Sequence, residues 1–243
     1  LAITELSTDS WISSLMEPEL RSFGLQAGWV LVYTALIVFV IRLFAGKVIG
    51  RLGPLGTLAA ASAMTACGLF LLADAHGLAL LAAATLYGIG KSFFWGTSLA
   101  VGSDQFPRGG AVTLNILAGS GMLAAGIVGS ALLGSVQDIS TTKAIHAYDA
   151  SQGTGLASSY LTAKGYSLLG RYEAIDPLLL KSAGPRDRAV IATIRADAKK
   201  QALRSIAMLP IGMMVAYLLL MVMFRRRGGY RPVQIAAQTS PPG

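Results

Sequence analysis

The chain has 243 residues, of which 53% are hydrophobic and only 13% charged, with a mean hydropathy of +0.59 and a net charge of +8. Soluble domains carry charge on about 25% of their residues, so this composition excludes an ordinary soluble domain and points to helices whose surfaces face lipid. Nucleic acid is not an expected partner either: the Lys and Arg residues have no aromatic interleaving and match no binding motif.

The chain opens on Leu1, and residues 1–6 run straight into polar sequence as the end of an earlier helix would. The expectation is a piece of a longer protein, with no secretory signal at its start. Crossing about 30 Å of hydrocarbon takes about 20 residues at 1.5 Å each. Five apolar runs have that length, at 28–45, 55–73, 78–101, 111–136 and 206–224. Their junctions at 50–54, 74–77 and 104–110 are short and rich in Gly and Pro, which forces antiparallel neighbours. The expected fold class is all-α, a polytopic transmembrane helix bundle. Residues 1–136 form the bundle (the end of one helix plus four spans), 137–203 an extracytoplasmic insertion, 204–225 the last transmembrane helix and 226–243 a cytoplasmic tail.

Cations beside spanning helices resist crossing and stay cytoplasmic. With five alternating spans, Arg42, Lys47 and Arg51, then Arg108, then Arg225, Arg226, Arg227 and Arg231 all fall on one side, against Arg21 in the short segments of the other. This orientation places the C-terminus in the cytoplasm and fits the inner membrane of a bacterium. Long insertions cross largely regardless of charge, so the basic residues of 137–203 do not oppose it. Within the insertion, Val190, Ile191, Ile194 and Ala198 recur at helical spacing, predicting a helix over 186–201 that leads into the last span.

No sequence feature supports covalent or metal chemistry. The motifs GxxxxGK, HExxH, GxSxG and CxxC are absent, and His76 and His146 stand far apart in predicted outer loops. No catalytic residue, metal or cofactor is expected. Cys67 reads as a small buried hydrophobe within an apolar run. Gly119, Gly126, Ser130 and Gly134 form a small-residue stripe in the fourth run, which reads as a close helix contact or a sliding surface.

Lys91 is the informative residue. Thirteen residues from Leu78 at 1.5 Å each put it about 20 Å into the membrane. An ammonium there costs about 2.5 to 3.5 kcal/mol unless it meets water or an opposite charge. Tyr87, Lys91, Phe94, Trp95 and Ser98 share one helix face, offering a cation, aromatic walls and a hydroxyl. Lys91, Tyr87, Trp95 and Ser98 are therefore the expected substrate-binding residues, joined by Asn115 near the inner end of the fourth run. A lysine that snorkels, or pairs with an acid for structure alone, is the competing reading. Glu5 and Asp9, at the outer mouth, are weaker candidates for ion coupling.

The junction Arg42-Leu43-Phe44-Ala45-Gly46-Lys47-Val48-Ile49-Gly50-Arg51-Leu52-Gly53-Pro54 resembles the cytoplasmic loop motif of the major facilitator superfamily: Gly, three residues, Asp-Arg, one residue, Gly. Gly46, Arg51 and Gly53 match, and Gly50 stands at the acidic position. Asp104-Gln105-Phe106-Pro107-Arg108 is similar to the acidic-x-aromatic-Pro-Arg loop between the tenth and eleventh helices of the same superfamily. The resemblance implies helices eight to twelve of a transporter, with the end of helix seven before them. It also implies a peripheral place for helices nine and twelve.

The implied function is secondary active transport of a small anionic or polyhydroxylated solute by alternating access. The partners would be the bilayer, the N-terminal half of the same protein and a coupling ion, H+ or Na+ in symport. Arg42, Gly46, Lys47, Arg51, Gly53, Asp104 and Arg108 would then form the cytoplasmic gate. The alternative is a non-transporting sensor or assembly factor that uses the 137–203 insertion to hold a partner. An intramembrane enzyme is disfavoured, because Lys91 and Ser92 diverge by about 100° on a helix.

Overall fold

The computed structural model describes residues 2–9, 12, 28–75, 77–167 and 170–234; Arg21, His76 and the tail beyond residue 234 lie outside them. The described chain is mostly helical. α1 is a short π-helical segment, Ile3–Ser7. α2, Gly28–Asp74, is two helices joined at a kink. There Gly53 takes φ +70, which its missing Cβ permits, and Pro54 cannot donate to the preceding turn. The third apolar run also divides, into α3 (Leu78–Lys91) and α4 (Phe94–Gln105). A 3-10 turn at Pro107–Gly109 leads into α5 (Gly110–Leu123), which passes through a π-helical stretch, Ala124–Gly129, into α6 (Ser130–Gln152).

After α6 come α7 (Leu156–Tyr160), strands β1 (Leu161–Ser167) and β2 (Gly170–Ile175), α8 (Pro177–Ser182), α9 (Pro185–Ile206) and α10 (Met208–Arg226). All five apolar runs lie in helices. Three continuous stretches among the described residues, Val32–Asp74, Pro107–Gln152 and Pro185–Arg226, are long and apolar enough to cross a membrane. The first of them carries two of the five runs across its kink.

The bundle buries two apolar clusters. One joins Leu69, Leu72, Leu80, Ala84 and Tyr87 of α2 and α3 to Leu133 of α6 and Leu203 and Ile206 of α9. The other joins Leu58 and Ala61 to Phe93 and Phe94, with Met213 and Tyr217 of α10 against them. The second half of α2 and α3 meet without room for a side chain at two glycines. A Cβ on Gly68 would stand 2.6 Å from the Tyr87 nitrogen, and one on Gly90 would stand 2.8 Å from the Ala61 carbonyl oxygen. Close approach of this kind compensates for the missing hydrophobic drive between helices in lipid. The small-residue stripe falls elsewhere: a Cβ added to Gly119, Gly126 or Gly134 would meet nothing within 4 Å, so among the described residues they mark no close contact. Cys67 likewise departs from expectation, since it is exposed on α2.

The insertion folds around its own core of Ile145, Leu156, Ile191 and Ile194. α6 ends where Gly153 turns left-handed at φ +63. The Asp149 carboxylate then accepts hydrogen bonds from the Leu156 and Ala157 backbone nitrogens at 2.9 and 2.7 Å, satisfying the open start of α7. β1 and β2 pair antiparallel, Leu161 opposite Ile175, and β2 rests on α6. Asp176 caps α8 ahead of Pro177 by accepting from the Leu178 nitrogen. The Tyr160 hydroxyl donates to Asp187 at 2.7 Å, and that bond, ahead of burial, holds its phenol above the usual range. His146 sits on α6 rather than in a loop and pairs with Glu173 of β2 at 3.0 Å.

Candidate functional site

The break between α3 and α4 builds the site. Gly88 and Gly90 give the last turn of α3 little helix propensity, and the Gly88 carbonyl accepts from both the Ser92 backbone nitrogen at 3.2 Å and the Ser92 hydroxyl at 2.6 Å. Phe93 then reaches back only three residues, to the Gly90 carbonyl. Lys91 is thereby the last residue of α3, where exposed carbonyl ends favour a cation.

Lys91 is buried, with 6% of its side chain exposed. Its ammonium donates to both carboxylate oxygens of Asp9, at 2.5 and 2.7 Å. It also stands 5.5 Å from the centre of the Tyr87 ring, within range of a cation–π attraction. Tyr87 is fully buried and its hydroxyl donates to the Thr4 carbonyl at 2.9 Å, with Asp9 Oδ1 at 3.5 Å. The Thr4 hydroxyl points to the Met213 sulfur at 3.8 Å, which ties α1 to α10. The cost of a lysine inside the bundle is therefore met by a two-oxygen ion pair that the N-terminal segment supplies.

The same segment borders a cavity of about 500 Å³, lined by Ala2, Ile3, Trp95, Ser98, Leu99, Leu117, Ser120, Gly121, Ala124 and Tyr217. Two rings and three hydroxyls, counting the Tyr217 phenol, thus line an otherwise apolar space, the composition of small-molecule sites. The expected face divides at the helix break. Tyr87 and Lys91 join Asp9, while Trp95 and Ser98 line the cavity one turn further on. Asn115 is exposed on α5 and is absent from the cavity lining. Tyr217 and Ser120 are lining residues that sequence reasoning misses. Tyr217 belongs to α10, the helix that the resemblance makes peripheral, and its one signal is a lone phenol in an apolar run.

The residues of the expected gate separate as well. Lys47 and Arg51 are exposed near the α2 kink, with Lys47 over the Phe44 ring at 5.8 Å. Gly46 has open space around it, and Gly53 makes the kink itself. Arg42 borders a groove of about 220 Å³ with Ser92, Trp95 and Thr97, facing the helix break. Arg108 is exposed in the 3-10 turn.

Asp104 has found a different set of partners. It accepts from the Tyr230 hydroxyl at 2.9 Å, and its backbone carbonyl accepts from the Val233 nitrogen at 2.8 Å. Gln105 donates to the Arg231 carbonyl at 3.2 Å. The Tyr230 ring meets Phe224 edge-on at 5.4 Å, so the segment after α10 folds back onto the end of α4. Burial, then the bond to Asp104, pushes the Tyr230 phenol up to about 12.

Among the described residues, no group of three or more His, Cys, Asp or Glu could hold a metal ion. No family model, curated protein or solved structure matches the chain.

Proposed function

We propose that the chain is the C-terminal half of a secondary active transporter of the major facilitator type, working by alternating access against an N-terminal half. The observation that carries this reading is the pairing of a buried Lys91 with a part-exposed Asp9 at a helix break, bordering on a cavity of about 500 Å³ through the shared N-terminal segment. Broken helices near the midplane are where transporters place substrate and coupling ions, and an intramembrane charge pair is a functional feature by default. Trp95 and Tyr217 offer stacking area, and Ser98 and Ser120 offer hydrogen bonds. Lys91 is already neutralised by Asp9, so the lining favours a neutral hydroxylated solute over an anion. Lys47, Arg51 and Arg108 would hold one closed state at the end of the bundle that carries them.

Water in the cavity is the test. In the full-length protein in membranes, a charged thiol reagent should modify Ser98→Cys and leave the native Cys67, exposed on a face expected to meet lipid, untouched. A Ser98→Cys thiol as inert as Cys67 would sink the reading. The alternative, a partner-binding membrane protein, draws on the insertion, which has its own core and leaves Leu178 73% exposed. Under it, deleting the insertion abolishes function and the cavity stays dry.

A further inference from the structure

Arg42 is a second cation at the helix break. Fourteen residues from Gly28 at 1.5 Å each put it about 21 Å into the first apolar run, a depth similar to that of Lys91. A cation is kept at such a depth only against water, an opposite charge or the bundle interior. Lys91 has Asp9, whereas Arg42 makes no hydrogen bond or ion pair among the described residues. Glu5 lies within its electrostatic reach without pairing with it.

The groove of about 220 Å³ that Arg42 borders also takes in Ser92, Trp95, Gly96 and Thr97. Thr97 is 2% exposed, and its hydroxyl has no hydrogen-bond partner among the described residues. Elsewhere in the bundle the hydroxyls of Thr57, Thr65 and Thr85 donate to the carbonyl four residues back, at 2.7 to 2.8 Å. Thr97 makes no such bond and lines the groove. Gly96 stands in the first turn of α4, where backbone N–H groups find no partner within the helix, and the space its Cβ would occupy is open. The Ser92 hydroxyl is committed to the Gly88 carbonyl. No Asp or Glu is among the lining residues.

A guanidinium, an unpartnered buried hydroxyl and the positive end of a helix thus face one small space without a carboxylate. We propose that this groove binds a small oxyanion, a carboxylate or phosphate group, held by Arg42, Thr97 and the open N–H groups at the start of α4. The guanidinium fork matches paired anionic oxygens, and the helix start adds donors and positive potential. The volume lies below the range of drug-sized sites, about 300 to 1,000 Å³. It suits a small anion or the anionic head of a larger molecule. The site is separate from the cavity proposed for a neutral solute and shares one lining residue with it, Trp95. An anion in the groove therefore changes the surroundings of a ring that the larger cavity also meets.

Trp95 supplies the readout. Inorganic phosphate and acetate are titrated, at constant ionic strength, against the full-length protein in phosphatidylcholine nanodiscs. The Trp95 signal is the emission difference between the protein and its Trp95→Phe variant. At least one probe should give a saturable change that chloride does not. Arg42→Gln should weaken it by about 10- to 100-fold, as expected for a bond to a charged group. Thr97→Val should weaken it by about 2- to 10-fold. That variant gives up no internal hydrogen bond, so it keeps the test decisive if Arg42→Gln fails to fold. Phosphatidylglycerol nanodiscs separate the sources of the anion. A Trp95 shift there without added anion, lost in Arg42→Gln, supports the same site with a lipid head group as its occupant. No saturable response to either probe and no such lipid shift, or a response that both variants leave unmoved, overturns the proposal. Labelling of Ser98→Cys reads the other cavity, so this inference and the transporter reading fail separately.

Discussion

Lys91–Asp9 and Arg204–Asp74 both close at 2.5 Å, yet the side chains are 6% and 37% exposed in the first pair and 55% and 68% exposed in the second. Distance does not set what such a pair is worth. In the bundle the charges have little water to return to, so removing one strands the other at a cost of several kcal/mol. Where α9 meets the end of α2, water and salt screen the attraction, and the net value falls to about 0 to 1 kcal/mol. A charge pair inside the bundle is therefore costly to break, whereas one exposed at the junction of α9 with α2 is not.

Lys91→Ala should have the largest effect. It leaves the Asp9 carboxylate without its ammonium, and because Asp9 retains some exposure the expected loss is about 3 kcal/mol, the lower end for a broken buried pair. Thermal unfolding in lipid nanodiscs measures it. The comparison sharpens with Lys91→Met combined with Asp9→Leu, which should recover most of the stability while abolishing the transport proposed above. A loss under about 0.5 kcal/mol in the single variant would put the pair in the same class as Arg204–Asp74.

Gly90→Ala comes next, at about 1 to 3 kcal/mol for an added carbon in a packed contact. The new Cβ would press on the Ala61 carbonyl and the Thr65 nitrogen, each at 2.8 Å. Gly134→Ala, with open space around it, should be neutral or slightly stabilising. Equal effects at the two glycines would remove the distinction between the α2–α3 contact and the outward face of α5 and α6.

A smaller and pH-dependent effect belongs to Tyr230. Its phenol ionises near 12 in the folded chain against an ordinary 10. The neutral form is the one the fold favours, so the contribution is fully present below pH 10 and is lost as pH rises from about 10 to about 12. A spectrophotometric titration, taken as the difference between wild type and Tyr230→Phe, should show this late phenol. Asp104→Asn should move its midpoint part of the way back. The bond is only part-buried, and its loss in Tyr230→Phe should cost about 1 kcal/mol or less.

These contrasts also mark what the amino-acid sequence could disclose. Length and hydropathy were enough to find the apolar runs that lie in the three helical stretches long enough to cross a membrane, because lipid tolerates little but a helix with all its backbone bonds internal. The spacing of Val190, Ile191, Ile194 and Ala198 likewise pointed to α9. The β1–β2 hairpin was not legible, since its strands are short, polar and bounded by glycines that read equally as loop. Within the candidate site, depth alone singled out Lys91, and periodicity placed Trp95 and Ser98 beside it. The partner could not be found that way: Asp9 lies 82 residues away, on a segment whose position is fixed only when it packs against α3. Asn115 shows the converse, a polar residue in an apolar run that faces outward. The break at Ser92 and Phe93 separates two halves of a face that an unbroken helix would have kept together.

Arg204→Ala should have the smallest effect, within about 0.5 kcal/mol, as expected for a mostly exposed ion pair. Its neighbours make the expectation a demanding one. Arg204 sits between Leu203 and Ile206, which are buried against Leu72 and Leu80, so the backbone at this point is held by packing whether or not the guanidinium reaches Asp74. Leu203→Ala should accordingly cost about 2 to 5 kcal/mol at the adjacent position. Raising the salt concentration should remove what little Arg204 contributes and leave the Lys91→Ala deficit nearly unchanged. If Arg204→Ala instead cost more than about 1 kcal/mol and the loss persisted in high salt, the pair would be acting as a hinge pin between α9 and the end of α2, and solvent exposure would no longer separate the two regions.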